Sequence, residues 1–595
     1  MNFYASDIYK DLNTITIAGH EFTGLEYVGD TAPAALTNSV VAGVSPAGAT
    51  VIGSGSVSGV KDAAMDLSTA TVAGVTITGA TGYFENVSFN GSNAGVNGAA
   101  LWIEGSAILD SVSITNNRGA GLGGAIYKKT QSITVIRDSW LAGNNGTQYG
   151  GVLFVNNGPV NISGSTFYSN TGKYGGAIAV DNGTGANGTF TDSLFDRNIA
   201  TDMGGAISIM NVTSISGTTF SGNSATNKGG ALIARQNVAT VTGSTFTGNT
   251  ASHGGAVYVG YSTSGTGDIT ITNSVIDANY ASYGAAVFAV RGVARFNGST
   301  VSNNVASTQG GAFYVEPAGA ITATNTLFGS NRGGGYGGAG VIKSNVEGSG
   351  TENSFTGSTF SGNSANNGGA LVADENGVVT ISNTTFTGNV ASTSGGAIHV
   401  GSGSTAGYVT VQNHSVISGN RATSHGGAIY VLKGNFTVND SLVADNFSGS
   451  YGGGVFVSGG TIDVSGATFS GNTATAMGGG VHVDNSGTGT IVNALFAGNT
   501  SLASDNSGGG LSVMGRATVT GSTFTGNYGA RGGAIAARLG STVISGGSFV
   551  VCLLVFMGAE TSSLVAYIPI VLGTAAIGSV IVQLLYLPLK KVLNR

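Results

Sequence analysis

From Ile114 to Ile535 apolar and polar residues alternate in short runs, and each run is bounded by Gly, Asn or Ser. In Gly254-Gly255-Ala256-Val257-Tyr258-Val259, the pleat of a strand puts Val257 and Val259 on one face and Tyr258 on the other. Ile178 and Val180, Ile398 and Val400, and Val481 and Val483 repeat that face. No helical period runs through this region. The pattern predicts short β-strands joined by tight turns.

The strands recur in order. STFYSNTGKYGGAIAV, STFTGNTASHGGAVYV, TTFTGNVASTSGGAIHV and STFTGNYGARGGAIAA each carry Phe-x-x-Asn and then Gly-Gly-Ala. The period is about 27 residues, with roughly 16 copies. One such unit is too small to bury a face of its own, so neighbours must stack. The expected fold is all-β, a parallel β-helix spanning residues 110–549, taken as right-handed from the usual chirality of parallel crossovers.

Stacking gives two columns a structural task. Phe246, Phe386 and Phe524 belong to an aromatic column along the axis, with Ile114, Leu141, Ile276, Val301, Ile417 and Val443 at the rungs that lack Phe. Asn249, Asn389 and Asn527 belong to a ladder at the following turn, where side-chain amides can satisfy backbone groups between coils.

Composition narrows the chemistry. The chain has 595 residues, 103 Gly and 8% charged residues, the bias of a repeat array and not of an average globular domain. A net charge of -6 without a basic patch excludes nucleic acid as a partner. The single cysteine, Cys552, excludes an internal disulfide framework and a cysteine-built zinc site. MNFYASDIYK has no basic stretch leading into an apolar one, so no ordinary secretory signal is expected there.

The linked Gly-Gly-Ala-(Ile/Leu/Val) and Phe-x-x-Asn motifs resemble the polymorphic outer membrane protein repeat of chlamydial surface proteins, over about residues 110–550. The resemblance implies an autotransporter-like β-helical passenger at the cell surface or outer membrane, frequently adhesive, followed by a β-barrel. On that footing the expected function is a non-enzymatic adhesin or structural stalk whose partner is a host-cell surface protein or a glycan. A carbohydrate-active enzyme on the same scaffold is the first alternative, and a truncated or chimeric passenger fragment the second.

The densest acidic stretch, residues 181–205, holds Asp181, Asp192, Asp196 and Asp202, which could supply a general acid and base. Asp192, however, occupies a column otherwise filled by Gly, Asn and Asp, the residues that tolerate positive φ, so a bend is expected there. His253 and His425 precede Gly-Gly at a position that also accepts Tyr174, Met203, Lys228 and Gln309, and solvent exposure is expected for it. No catalytic residue, cofactor or metal is expected.

One column is a candidate for ligand contact. Tyr258, Phe288 and Tyr314, then His399, Tyr430, Phe456 and His482, occupy the middle of the Gly-Gly-Ala strands on the face away from the axis. Exposed rings at coil spacing could stack on sugars or anchor a protein, or simply pair along the sheet. Longer turns near residues 264, 348, 404 and 503 form a second candidate surface.

The two ends depart from the repeat. Residues 1–109 read as an irregular cap with degenerate coils. Residues 550–595 are apolar. The segment 564–587 has no charge over 24 residues and is followed by Lys590, Lys591 and Arg595, which predicts a transmembrane helix with a cytoplasmic C-terminus and a membrane anchor for the rod. Alternating barrel strands are not found there, which departs from the family pattern.

Overall fold

The computed structural model describes residues 81–550 apart from 94, 262–265, 344–352, 404, 505–506 and 539–540, and outside that range only short strands. Two compact units divide the chain, Met1–Thr300 and Val301–Arg595. Within each, short strands pair in parallel and in register with the equivalent strands of the coils before and after, so each unit is a β-solenoid.

One coil of the first unit shows the plan. Leu194–Asp196 carries Phe195 inward, Ile199–Met203 follows the Asn corner, Ile207–Ile209 is the Gly-Gly-Ala strand, and Thr213–Ser216 returns to the next coil. Register then places Phe195 between Phe167 and Phe220. The rings stack at 4.6, 5.1 and 4.6 Å from Phe167 through Phe195 and Phe220 to Phe246. In the second unit Phe328, Phe360 and Phe386 stack at 4.8 and 4.5 Å, and Phe469, Phe496 and Phe524 at 4.9 and 4.6 Å. Every one of these rings is fully buried, and each buried aromatic contributes about 1.5–3 kcal/mol to the core.

The asparagines form the expected ladder. Asn223 Nδ2 donates to Asn249 Oδ1 on the next coil at 3.0 Å and to Phe195 O on the preceding coil at 2.8 Å. Its backbone N–H donates to the same Asn249 oxygen at 2.9 Å. Asn363, Asn389 and Asn420 repeat the geometry in the second unit.

A second ladder had no counterpart in the sequence reading. The Ser or Thr two residues before the Phe position is buried, and its hydroxyl oxygen accepts the backbone N–H of the equivalent residue one coil earlier: Ser139 to Ser165 at 3.2 Å, Ser165 to Ser193 at 3.3 Å, Ser358 to Thr384 at 3.3 Å. The hydroxyl donates to the carbonyl two residues back, as Ser193 does to Thr191. Polar residues thus line the inside at two corners because the coil bends there and frees backbone groups from the sheets.

Parallel register extends outside the tight motif. Ser88–Asn90 pairs with Ser113–Thr115 and with Ala63–Asp66, so degenerate coils precede the first motif copy. Toward the other end, strand Ser548–Val550 pairs in parallel with Thr523–Thr525, with Phe549 in register with Phe524. The predicted transmembrane helix at 564–587 and its basic flank lie outside the described residues. Among the described residues no helix is long and apolar enough to cross a membrane.

Candidate binding surface

The Gly-Gly-Ala strand is buried on both faces, which corrects the expectation for the ring column. Tyr258, Phe288, Tyr314, His399, Phe456 and His482 are at most 5% exposed, and Tyr430 is half-buried. What covers them is the residue before Gly-Gly. His253 meets Phe288 edge-on at 5.0 Å, Tyr149 lies 5.4 Å from Phe154, and Tyr451 stacks on His482 at 5.2 Å. His425 sits 5.0 Å from Phe456. The position expected to face solvent is therefore half-buried and packs on the outer face of the neighbouring strands.

The glycine pair explains the fold-back. Gly254 has φ +65, and a Cβ there would lie 2.2 Å from Val257 O. Only glycine allows so close a return of the backbone, and the return swings His253 over the strand it has just preceded. The result is a narrow second core outside the sheet. Within it Tyr258 stacks on Phe288 at 5.2 Å, and His399, Tyr430, Phe456 and His482 follow one another at 4.8, 5.4 and 5.4 Å.

Burial sets the protonation of this layer. It drives His399 down to about 4 and His482 to about 3, and the nearby His425 charge depresses His482 further. Tyr314 is pushed up to about 12 by burial, against the Lys343 charge and hydrogen bond that pull it down. These rings are neutral packing groups at neutral pH.

The acidic segment resolves into turn and edge residues. Asp192 has φ 46, in the left-handed region, and is a bend residue as its column implied. Asp196 lies on the outer side of its strand beside Arg197, with Oδ2 3.9 Å from Nε. Asp202 Oδ1 accepts a hydrogen bond from Asn227 Nδ2 at 2.8 Å. Among the described residues no group of three His, Cys, Asp or Glu side chains could hold a metal ion. The long turns near 264, 348, 404 and 503 fall in or beside residues outside the described set.

The open surface is the outer side of the Phe strands. There Trp140 is 46% exposed and stacks on Tyr168 of the next coil, with ring centres 5.7 Å apart and planes inclined by 23°. Arg197 of the following coil stands 5.9 Å over Tyr168, and its Nη1 donates to the Tyr168 hydroxyl at 3.2 Å. Trp140 can lean across to Tyr168 because its strand neighbour is Ala142 and its partner across the ladder is Thr166, both small. Tyr168 covers one face of the indole. The other looks along the axis to the rung of Ser113 and Thr115, again small residues. Sequence reasoning missed this group: the signal was Trp140 at a place where the other coils carry Thr, Val, Leu or Ser.

Comparison with known proteins agrees with this architecture. The family model for a right handed beta helix region matches residues 150–328. The Chlamydia polymorphic membrane protein repeat matches residues 111–129, 357–374, 383–401 and 414–432. No curated protein matches the chain. Fold and repeats together define a right-handed parallel β-helix built from short tandem repeats. Four of these repeats match the Chlamydia polymorphic membrane protein repeat, and with the β-solenoid they fit a β-helical autotransporter passenger of that type. Such repeats suggest a cell-surface or outer-membrane location.

Proposed function

We propose that the chain is displayed outside the cell and acts there as a non-enzymatic adhesin, attaching to a host-cell surface protein or glycan, with residues 564–587 tying it to the membrane. One observation carries the adhesive reading: the Trp140, Tyr168 and Arg197 stack on the open face of the first unit. An indole that is 46% exposed and braced by Tyr168 is poised for stacking, and Trp, Tyr and Arg are the residues on which binding energy concentrates. The ring column inside the second core has no such access and contributes packing instead.

Attachment of the purified chain to host cells tests the reading. Trp140→Ala with Tyr168→Ala should lower attachment at least about tenfold, the loss of roughly 1.4 kcal/mol or more of contact energy, while leaving the far-ultraviolet dichroism of the β-solenoid intact. Tyr430→Ala with Phe456→Ala should cost stability before it costs attachment. Unchanged attachment by the Trp140, Tyr168 double variant refutes this surface as the adhesive one.

A further inference from the structure

In the first unit two cations share one aromatic wall. Arg235 follows the Gly-Gly-Ala strand Leu232–Ala234, and its Cζ lies 4.6 Å from the ring centre of Tyr261 and 5.5 Å from that of Tyr174. Lys228 precedes the same strand, with Nζ 5.1 Å from the ring centre of Tyr258 and 5.2 Å from that of Tyr261. Lys173 stands 5.2 Å over Tyr174 from its own coil.

Among the described residues, no ion pair involves Lys228 or Arg235. Arg235 Nε and Nη1 are buried and donate to nothing. A buried charged donor without an acceptor is among the more destabilising arrangements a fold can carry, and a like charge beside it worsens the balance. The carboxylate whose field reaches Lys228 is Asp202, already engaged through Oδ1 by Asn227 Nδ2. Burial and the Arg235 charge both press Lys228 toward losing its proton. Three cations against one carboxylate leave the neighbourhood positive.

Small side chains make the space. Tyr174 belongs to the coil two before that of Arg235, and the strand-centre residues of the two preceding coils are Ala179 and Ser208. Elsewhere that column holds Phe154, Ile233, Tyr258 and Phe288. The guanidinium reaches back over the gap in the column to Tyr174.

We propose that Lys228 and Arg235, walled by Tyr174 and Tyr261, bind a compact oxyanion, a sulfate, phosphate or carboxylate group. The planar guanidinium supplies N–H donors to one oxygen edge and the ammonium a point charge to another, while the tyrosine faces exclude water and strengthen both contacts. The group is either a free ion or one borne on an acidic sugar. The site is separate from the Trp140 surface, so its loss leaves the adhesive reading untouched.

Calorimetric titration of the full chain with sodium sulfate, at constant ionic strength against chloride, tests the site. Saturable 1:1 uptake is expected, weakened at least about tenfold by Lys228→Met and by Arg235→Gln, each about 1.4 kcal/mol, and unchanged by Arg332→Gln, which removes an exposed charge in the second unit. In the unsubstituted chain sulfate should also protect Lys228, but not Lys129, from amine acylation read by peptide mass; that measurement stands even if a variant fails to fold. Absence of saturable uptake and of Lys228 protection overturns the proposal, as does equal weakening by Arg332→Gln. A sulfated disaccharide binding more tightly than inorganic sulfate, with its unsulfated parent inert, assigns the oxyanion to a glycan, and equal affinity assigns it to the free ion.

Discussion

His482 lies stacked on Phe456, ring centres 5.4 Å apart and planes within 6°, with its Nδ1 buried and unpartnered. Tyr451 covers it on the solvent side at 5.2 Å. A neutral imidazole packs there as an aromatic, whereas an imidazolium would put a charge into an apolar layer.

Acid sensitivity follows, and its sign is fixed by the depressed values. His482 titrates at about 3 and His399 at about 4 in the fold, against about 6.5 in the unfolded chain. Between those limits the unfolded state binds more protons, so stability is full above pH 6.5 and falls as pH drops toward 3. Denaturant midpoints taken from pH 7 to pH 4 should decline, and His482→Phe should flatten the decline. An identical slope in that variant removes His482 from the account.

Lys128 gives the opposite end of the scale. It is fully buried, its Nζ donates to Thr130 O at 2.8 Å and to Ser132 O, and burial lowers it to about 8. The unfolded value is about 10.4, so stability should rise with pH between 8 and 10.4. Lys128→Met should raise stability at pH 7 by about 1–3 kcal/mol, with the gain shrinking across that window in unfolding curves. A loss at pH 7 would mean that the two carbonyl contacts outweigh the buried charge.

The asparagine ladder predicts a large cost at one rung. Asn223→Ala takes the amide donor from Phe195 O and Asn249 Oδ1 and the amide acceptor from Asn198 N–H and Nδ2, and roughly 1–3 kcal/mol is expected for each buried group left unpaired. Asn223→Asp should not rescue, because a carboxylate has no N–H for Phe195 O. Chemical denaturation of the three proteins checks both statements.

Gly217 separates backbone strain from crowding. Its φ is +57, and a Cβ there would lie 2.1 Å from Asp192 Oδ1. Gly217→Ala should cost about 1–2 kcal/mol for the left-handed residue plus the displacement of the carboxylate. In a double-mutant cycle with Asp192→Gly, which suits the left-handed φ of 46 at that position, the coupling energy should equal the second part only.

Much of the fold was legible because a repeat displays the same physics many times. Phe246 and Asn249 alone say little; the recurrence of that pair at one spacing required stacked, parallel coils, and the column and ladder formed as read. The buried Ser ladder was not legible, since Ser165 before Thr166 and Phe167 looks like any turn residue until the bend frees a backbone N–H beside it. The outward rings were misjudged for a different reason. Period two correctly put Tyr258 opposite Val257 and Val259, but alternation reports sides and not what lies beyond them.

The sequence by itself determined the coil: its length, its strands, its inward Phe and Asn, and its bends at Asp192 and Gly217. Those properties depend on neighbours along the chain and on identical units one period away, both of which a linear text contains. Only the tertiary structure decided that Gly254 folds the chain back so that His253 roofs the adjoining strands, that Trp140 leans onto Tyr168, and that Arg235 reaches across a gap left by Ala179 and Ser208. Each is a contact between unlike positions on different coils, set by local volume and backbone direction, and such contacts leave no periodic trace.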